Sequence, residues 1–184
     1  MLANSPHLEQ LKEKGYEVLL MTDPVDEWVV RSLSEYSGKK LKSAETGTLE
    51  TDDEQRKDKD DFKPFLEFVK KNLDDSVKDV RVSTRLKDSI SCLSGDDTDI
   101  SAYMEKILKA TGQAPPDVKR ILELNTSHPV IQQMKSLFEN NPDDPVLPDY
   151  SHILLDMAII SEGGKIEDPA AFSKSVTELM SKAM

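Results

Sequence analysis

Every residue from 153 to 160 (ILLDMAII) except Asp156 is apolar. Wound at 3.6 residues per turn, Ile153, Leu154, Leu155, Met157, Ala158, Ile159 and Ile160 cover more than one face of a helix. A helix that packs on one side of its own core needs only a stripe. The surplus is expected of a helix held between its own domain and a partner, and a closed two-fold contact with a second copy is the usual solution. Gly163 and Gly164 end this helix, and Asp168 and Pro169 start another through "EDPAAFSKSVTELMSKAM", so the two form a helical hairpin. The apolar positions of the pair, Ile153, Leu154, Met157, Ile160, Phe172, Val176, Leu179 and Met180, are the expected dimer-interface residues.

The residues before the hairpin supply short strands and further helices. "VKDVRVSTRL" alternates apolar and polar as a half-buried strand does, "DSISCLSGDD" reads as a second strand running to a turn at Gly95, and Ile121 to Leu124 form a third. "FKPFLEFVKKNL" is a helix with Phe65, Phe68 and Val69 on one face and Pro64 in its first turn. "SHPVIQQMKSLFEN" is a helix starting from Ser127, and prolines 142 and 145 break the chain after it. The fold class expected is α+β: a short mixed sheet with helices and a C-terminal helical hairpin.

The first forty residues read as helix, strand, helix. Ser5 and Pro6 start the first helix and Gly15 stops it; "YEVLLM" is a short buried strand; Asp23 and Pro24 open a helix through "VDEWVVRSLSEY" that Gly38 ends. One strand between two helices cannot close a core, because the strand needs neighbours for its backbone groups and the helices need a sheet to cover. This stretch therefore reads as the end of a larger α/β domain. From Ser43 to Asp61 the sequence is almost free of apolar residues and crowded with both charges, a linker or a solvated helix start. The division expected is 1–43 as the end of one domain, 44–61 as a charged hinge and 62–184 as a second domain.

Reactive groups are scarce. The three histidines, His7, His128 and His152, lie on separate segments with no metal-ligand spacing, and "NTSHP" around His128 suits capping or turn formation. There is no phosphate-binding glycine loop, nucleophile elbow or paired cysteine motif. Cys92 falls in a strand, where a small buried hydrophobe is the plain reading. "GDDTDIS" lacks the ligand spacing and closing glutamate of a calcium loop, which leaves Asp97 or Asp99 as the cap of the next helix. No catalytic, cofactor-binding or metal-binding residues are expected. Thirty-five acidic against twenty-four basic residues, a net charge of −11, argue against nucleic acid or an anionic membrane as partner. A polar start, a lone cysteine and the want of any long apolar run make the cytoplasm the expected location.

The segment "ISAYMEKIL" sets Ile100, Tyr103, Met104, Ile107 and Leu108 on one helical face. Such a face usually packs into its own domain, as does a lone tryptophan such as Trp28 on "VDEWVVRSL". Their interest comes from a resemblance. In this order, "SPHLEQLKEKGYEVLLMTDPVDEWVV", "VKDVRVSTRLKDS", "MEKILKATGQ", "LELNTSHPVI" and "EDPAAFSKSVTELM" are similar to the end of the middle domain and the C-terminal domain of the heat shock protein 90 chaperones. The likeness falters only in the charged stretch 43–61 and the proline-rich connection near 142. The close "MSKAM" lacks the acidic pentapeptide of cytosolic eukaryotic members, so the chain resembles the bacterial type.

The resemblance implies an ATP-driven homodimeric chaperone whose ATP and Mg site lies in an N-terminal domain outside these residues, so that this chain has no ATPase site of its own. It implies a dimer through a four-helix bundle of the last two helices. It also implies contact with unfolded client proteins through Trp28 with Ile100, Met104, Ile107 and Leu108, Tyr103 being ambiguous. On that reading the stripe of "ISAYMEKIL" is at least partly exposed. The rival reading is a purely structural dimerisation module.

Overall fold

The computed structural model describes residues 4–46, 53–73, 76–96, 99–114, 116 and 118–183. Among them the chain is α+β, with seven α-helices, a two-stranded sheet and a three-stranded mixed sheet. A 3-10 turn, Pro6–Leu8, leads into α1 (Glu9–Glu13); α2 is Asp26–Ser32. The strands β1 (Glu35–Tyr36) and β2 (Lys39–Lys40) form a small antiparallel hairpin.

The three-stranded sheet is built from β3 (Asp79–Val82), β4 (Ser91–Ser94) and β5 (Ile121–Leu124), with β5 in the middle, parallel to β3 and antiparallel to β4. Its register sorts the side chains. Val80 and Leu93 flank Leu122, and Val82 flanks Leu124, so one face is aliphatic; Arg81 and Cys92 flank Glu123 on the other. The aliphatic face is covered by α3 (Asp53–Leu73), α5 (Pro129–Asn140) and α6 (Val146–Ser161). From α3 come Phe62, Phe65, Leu66, Val69 and Leu73, an i, i+3, i+4 pattern that meets Ile131 and Met134 of α5 and Leu154, Leu155 and Ala158 of α6 in one core. Phe138 of α5 lies 6.0 Å from Phe65 and 4.9 Å from Phe68, and the Lys135 ammonium sits 5.0 Å over the Phe62 ring.

The three strands expected from the sequence are present. The helical hairpin is too: α7 is Pro169–Ala183, and the Asp168 carboxylate accepts from the Ala170 and Ala171 amides at 3.0 and 2.9 Å. Between α6 and α7, Gly164 passes so close to Ile159 that a Cβ would stand 2.8 Å from its Cγ2 and 3.0 Å from its carbonyl oxygen, a fit that only glycine allows.

Several expectations are corrected. "YEVLLM" is not a strand: Tyr16, Leu19, Leu20 and Met21 are exposed and no described strand pairs with them, which leaves its backbone ladder without a template. The helix of Trp28 stops at Ser32, and Gly38 is not its stop; Ser37 and Gly38, both at positive φ, form the tight turn of the β1–β2 hairpin. Pro64 is interior to α3, because the burial of Phe65, Leu66 and Val69 outweighs one missing helical bond. The reading of the charged stretch 44–61 as a linker or a solvated helix start is not overturned: it is helical from Asp53 on, and residues 47–52 are outside the described set. Ser101, rather than Asp99, caps α4 (Ala102–Ala110), Asp97 lying outside the described residues, and His128, rather than Ser127, caps α5 through Nδ1, which accepts from the Val130 amide at 3.2 Å.

Candidate functional site

Two apolar surfaces and one buried charge cluster stand out. The first surface is organised by α4. The Ser101 hydroxyl oxygen accepts from the Met104 amide at 2.9 Å and donates to the Glu27 carboxylate at 2.6 Å, so the N-cap of α4 is fastened to α2, one residue from Trp28. The Arg120 guanidinium donates to Glu105 at 2.6 Å and ties the same helix to the residue before β5. Gly112, at positive φ, ends the helical run after Thr111. Trp28 is 64% exposed. Ile100, Ile107 and Leu108 are half-buried, Met104 is turned inward at 4% exposure, and the Tyr103 side chain lies outside the described residues. The stripe is thus part open, and its thioether is the closed part.

The second surface belongs to the hairpin. On α6, Leu147, Leu154, Leu155 and Ala158 are buried and Ile153 nearly so, while Met157 and Ile160 are 40% and 46% exposed. Leu154 belongs to the chain's own core, where its carbonyl accepts from the Ser91 hydroxyl at 2.8 Å. On α7, Phe172, Val176 and Leu179 are half-buried and Met180 is 60% exposed. An apolar groove of about 670 Å³ opens beside them, lined among others by Ile90, Met134, Leu137, Ile153, Met157 and Leu179.

The polar face of the sheet carries the charge cluster. Glu123 accepts from Arg81 Nη2 at 2.9 Å, Arg85 Nε at 2.9 Å and the Ser83 hydroxyl at 2.9 Å, although Arg85 and Glu123 are almost wholly buried. Burial alone would raise its pKa; the two guanidiniums and their hydrogen bonds outweigh that and hold the carboxyl below its ordinary range. The Cys92 thiol lies beside it, and burial together with the Glu123 charge pushes it well up, the chemistry of a packed thiol and not of a nucleophile. Arg85 also donates to the Ala44 carbonyl.

The structure places the histidines apart: His128 caps α5, His7 lies 3.4 Å from Glu162, and His152 is exposed on α6. Among the described residues no group of histidine, cysteine and carboxylate side chains could hold a metal ion, and none of the helices is long and apolar enough to cross a membrane. Glu27, Ser101, Glu123 and Arg85 were not singled out from sequence. The signal for Glu123 was there: one carboxylate in "ILELN", a strand otherwise leucine and isoleucine, needs a buried cation.

Comparison with known proteins agrees with the arrangement. The family described as "Hsp90 protein" matches residues 1–184. The chain is 46% identical over 188 residues to the chaperone protein HtpG of Geobacter sulfurreducens, covering 97% of this chain and 29% of that protein. It is 47% identical to HtpG of Geobacter metallireducens over the same shares, and 44% identical to HtpG of Burkholderia lata over 96% of this chain and 28% of that protein. The chain spans less than a third of the length of these curated relatives.

Proposed function

The chain belongs to the Hsp90 family, bacterial type, and from that premise we propose that it is the C-terminal part of an ATP-dependent homodimeric chaperone, with the ATP and Mg site on the portion of the parent protein outside these residues and no ATPase site within them. Residues 1–43 are the end of the middle domain, 44–61 the connection, and 62–184 the dimerisation domain. The observation that carries this reading is the hairpin. Met157, Ile160 and Met180 present apolar surface beside the half-buried Phe172, Val176 and Leu179, and a patch of this kind on a self-complementary helix pair is what a second copy covers. Ile153 and Leu154 support the interface from beneath. A stable two-fold contact needs roughly 1,600 Å² of total buried surface, which an α6–α7 pair from each copy can supply as a four-helix bundle.

Unfolded client proteins bind, on this proposal, to the surface of Trp28, Ile100, Ile107 and Leu108, with Tyr103 and Met104 joining when α4 lifts. Each aliphatic side chain buried in such a contact contributes about 1.5–3 kcal/mol before ordering costs, which suits weak, reversible holding. The inward placement of Met104 favours the rival reading, a dimerisation module that leaves clients to other parts of the protein. Two experiments separate the claims. Deleting residues 166–184 gives monomers by light scattering, and an undiminished dimer defeats the hairpin interface. The double variant Trp28→Ala with Ile107→Asp stays folded and dimeric but no longer suppresses aggregation of a heat-denatured test protein. Unchanged suppression supports the structural module.

A further inference from the structure

Residues 5–46 are held on the sheet unit with little help from burial. Among the described side chains of this stretch only Pro6, His7 and Leu8 are buried, and the large aliphatic and aromatic residues from Leu19 to Leu41 are exposed. What joins the two parts is polar. The Glu9 carboxylate accepts from three consecutive backbone amides, Lys87 at 2.7 Å, Asp88 at 2.9 Å and Ser89 at 3.1 Å, and from the Ser89 hydroxyl. Successive N–H groups converging on one carboxylate form an anion nest, and bonds to a charged acceptor are stronger than neutral ones. The loop that makes the nest is shaped independently of Glu9. The Asn125 side-chain amide, from the residue after β5, donates to the carbonyls of Lys87 at 2.9 Å and Ser89 at 3.0 Å. Glu9 therefore fits a receptor that the sheet unit builds for itself.

The other contacts are single: Arg85 donates to the Ala44 carbonyl, and His7 lies 3.4 Å from Glu162. The Gln10 amide donates to the Arg85 carbonyl at 3.2 Å, its side chain to the Leu86 carbonyl at 3.3 Å, and the exposed Lys87 pairs with Glu13 at 2.6 Å. Further along, Gly95 donates to the Glu45 carbonyl at 3.2 Å, and Ser101 reaches Glu27.

We propose that Glu9 is a releasable latch: seated in the 87–89 nest it holds residues 5–46, and with them the Trp28 helix, against the sheet unit, and unseated it frees that segment while the sheet and its helices stay folded. A core element would instead be lost together with the fold.

The test is Glu9→Gln in the 184-residue chain, followed by amide hydrogen exchange and by tryptic cleavage after Lys14. The latch requires exchange at Gln10 and at 87–89, and the cleavage rate, to rise at least about tenfold, with Leu122 and Leu124 of β5 unchanged. Ser89→Ala, which removes one donor of four, gives a smaller rise, and Glu13→Gln, which removes only the exposed pair, less than about twofold. The latch is overturned if Glu9→Gln leaves Gln10 exchange and cleavage within about twofold of the parent chain. It is equally overturned if the β5 amides accelerate in step with Gln10 or the whole chain unfolds, since Glu9 would then be part of the fold.

Discussion

Residues 16–41 and 62–161 are both rich in aliphatic side chains, yet they end in opposite states. In 62–161, Phe65, Val69, Leu122, Leu124, Ile131 and Leu154 are almost wholly buried, because three strands pair and present one apolar face to three helices. In 16–41, Leu19, Leu20, Trp28 and Tyr36 remain more than 45% exposed, because among the described residues "YEVLLM" has no strand to pair with and α2 no sheet to lie on. Hydrophobic content is thus a requirement for a core and no guarantee of one; what converts it is a closed set of backbone partners. The longer stretch 5–46 that contains the first region is attached by carboxylates and amides, the second region by area.

The contrast breaks most visibly at the buried charges. Arg85→Met removes the fully buried cation beside Glu123 and should cost approximately 3–5 kcal/mol in urea unfolding, while adding Glu123→Met should restore part of it. If the single variant is neutral, the cluster is not closed to water. Next comes the apolar side: Leu154→Ala should cost about 2–5 kcal/mol, against less than about 0.5 kcal/mol for Leu20→Ala. Equal losses at the two leucines would mean that residues 16–41 are as buried as the core.

Proton linkage gives a smaller effect and a sharper one, because two carboxyls on either side of the first region, Glu9 and Glu45, carry opposite signs. Burial tends to raise Glu9, but the Ser89 hydroxyl and the backbone amides of Lys87, Ser89 and Asp88 prevail and lower it below 4.5. Its contribution to attachment is therefore present above that ordinary value and lost as pH falls through the depressed one. Glu45 is raised, first by burial and then by the Glu162 and Glu27 carboxylates, against the pull of His7 and Arg120. Its contribution is full below the ordinary value and falls as pH rises through the elevated one. Gln10 amide exchange measured against pH should lose its acid-side rise in Glu9→Gln, and Glu45→Gln should slow that exchange near neutrality. A shared slope in both variants would assign the pH response elsewhere. The smallest effect expected on the fold is that of Trp28→Ala, within about 0.5 kcal/mol by thermal unfolding, since the side chain is mostly exposed.

Much of the local structure was legible. Asp168-Pro169 and the glycines at 163 and 164 mark the hairpin because a carboxylate over free amides and a close glycine turn are chemistry within a few residues. The alternation in "VKDVRV" shows β3 for the same reason. The misreadings occurred where distant residues decide. "YEVLLM" has the composition of a strand, and only a neighbouring strand could have made it one. Asp97 and Asp99 are as good caps on paper as Ser101, but it is Ser101 that meets both the Met104 amide and the Glu27 carboxylate.

The sequence by itself determined the helix caps and stops of the hairpin, the three strands, the absence of familiar catalytic motifs and the surplus of apolar residues on "ILLDMAII". Those are properties of residue type at short spacing, and neighbours in the chain enforce them. Only the tertiary structure decided that Leu154 faces inward while Met157 and Ile160 face out, that Met104 is the closed member of its stripe, and that Glu9 sits in a nest formed nearly eighty residues further on. The side of a helix or sheet that becomes covered is set by which distant backbone groups pair and in what register, and that register is a property of the whole folded chain.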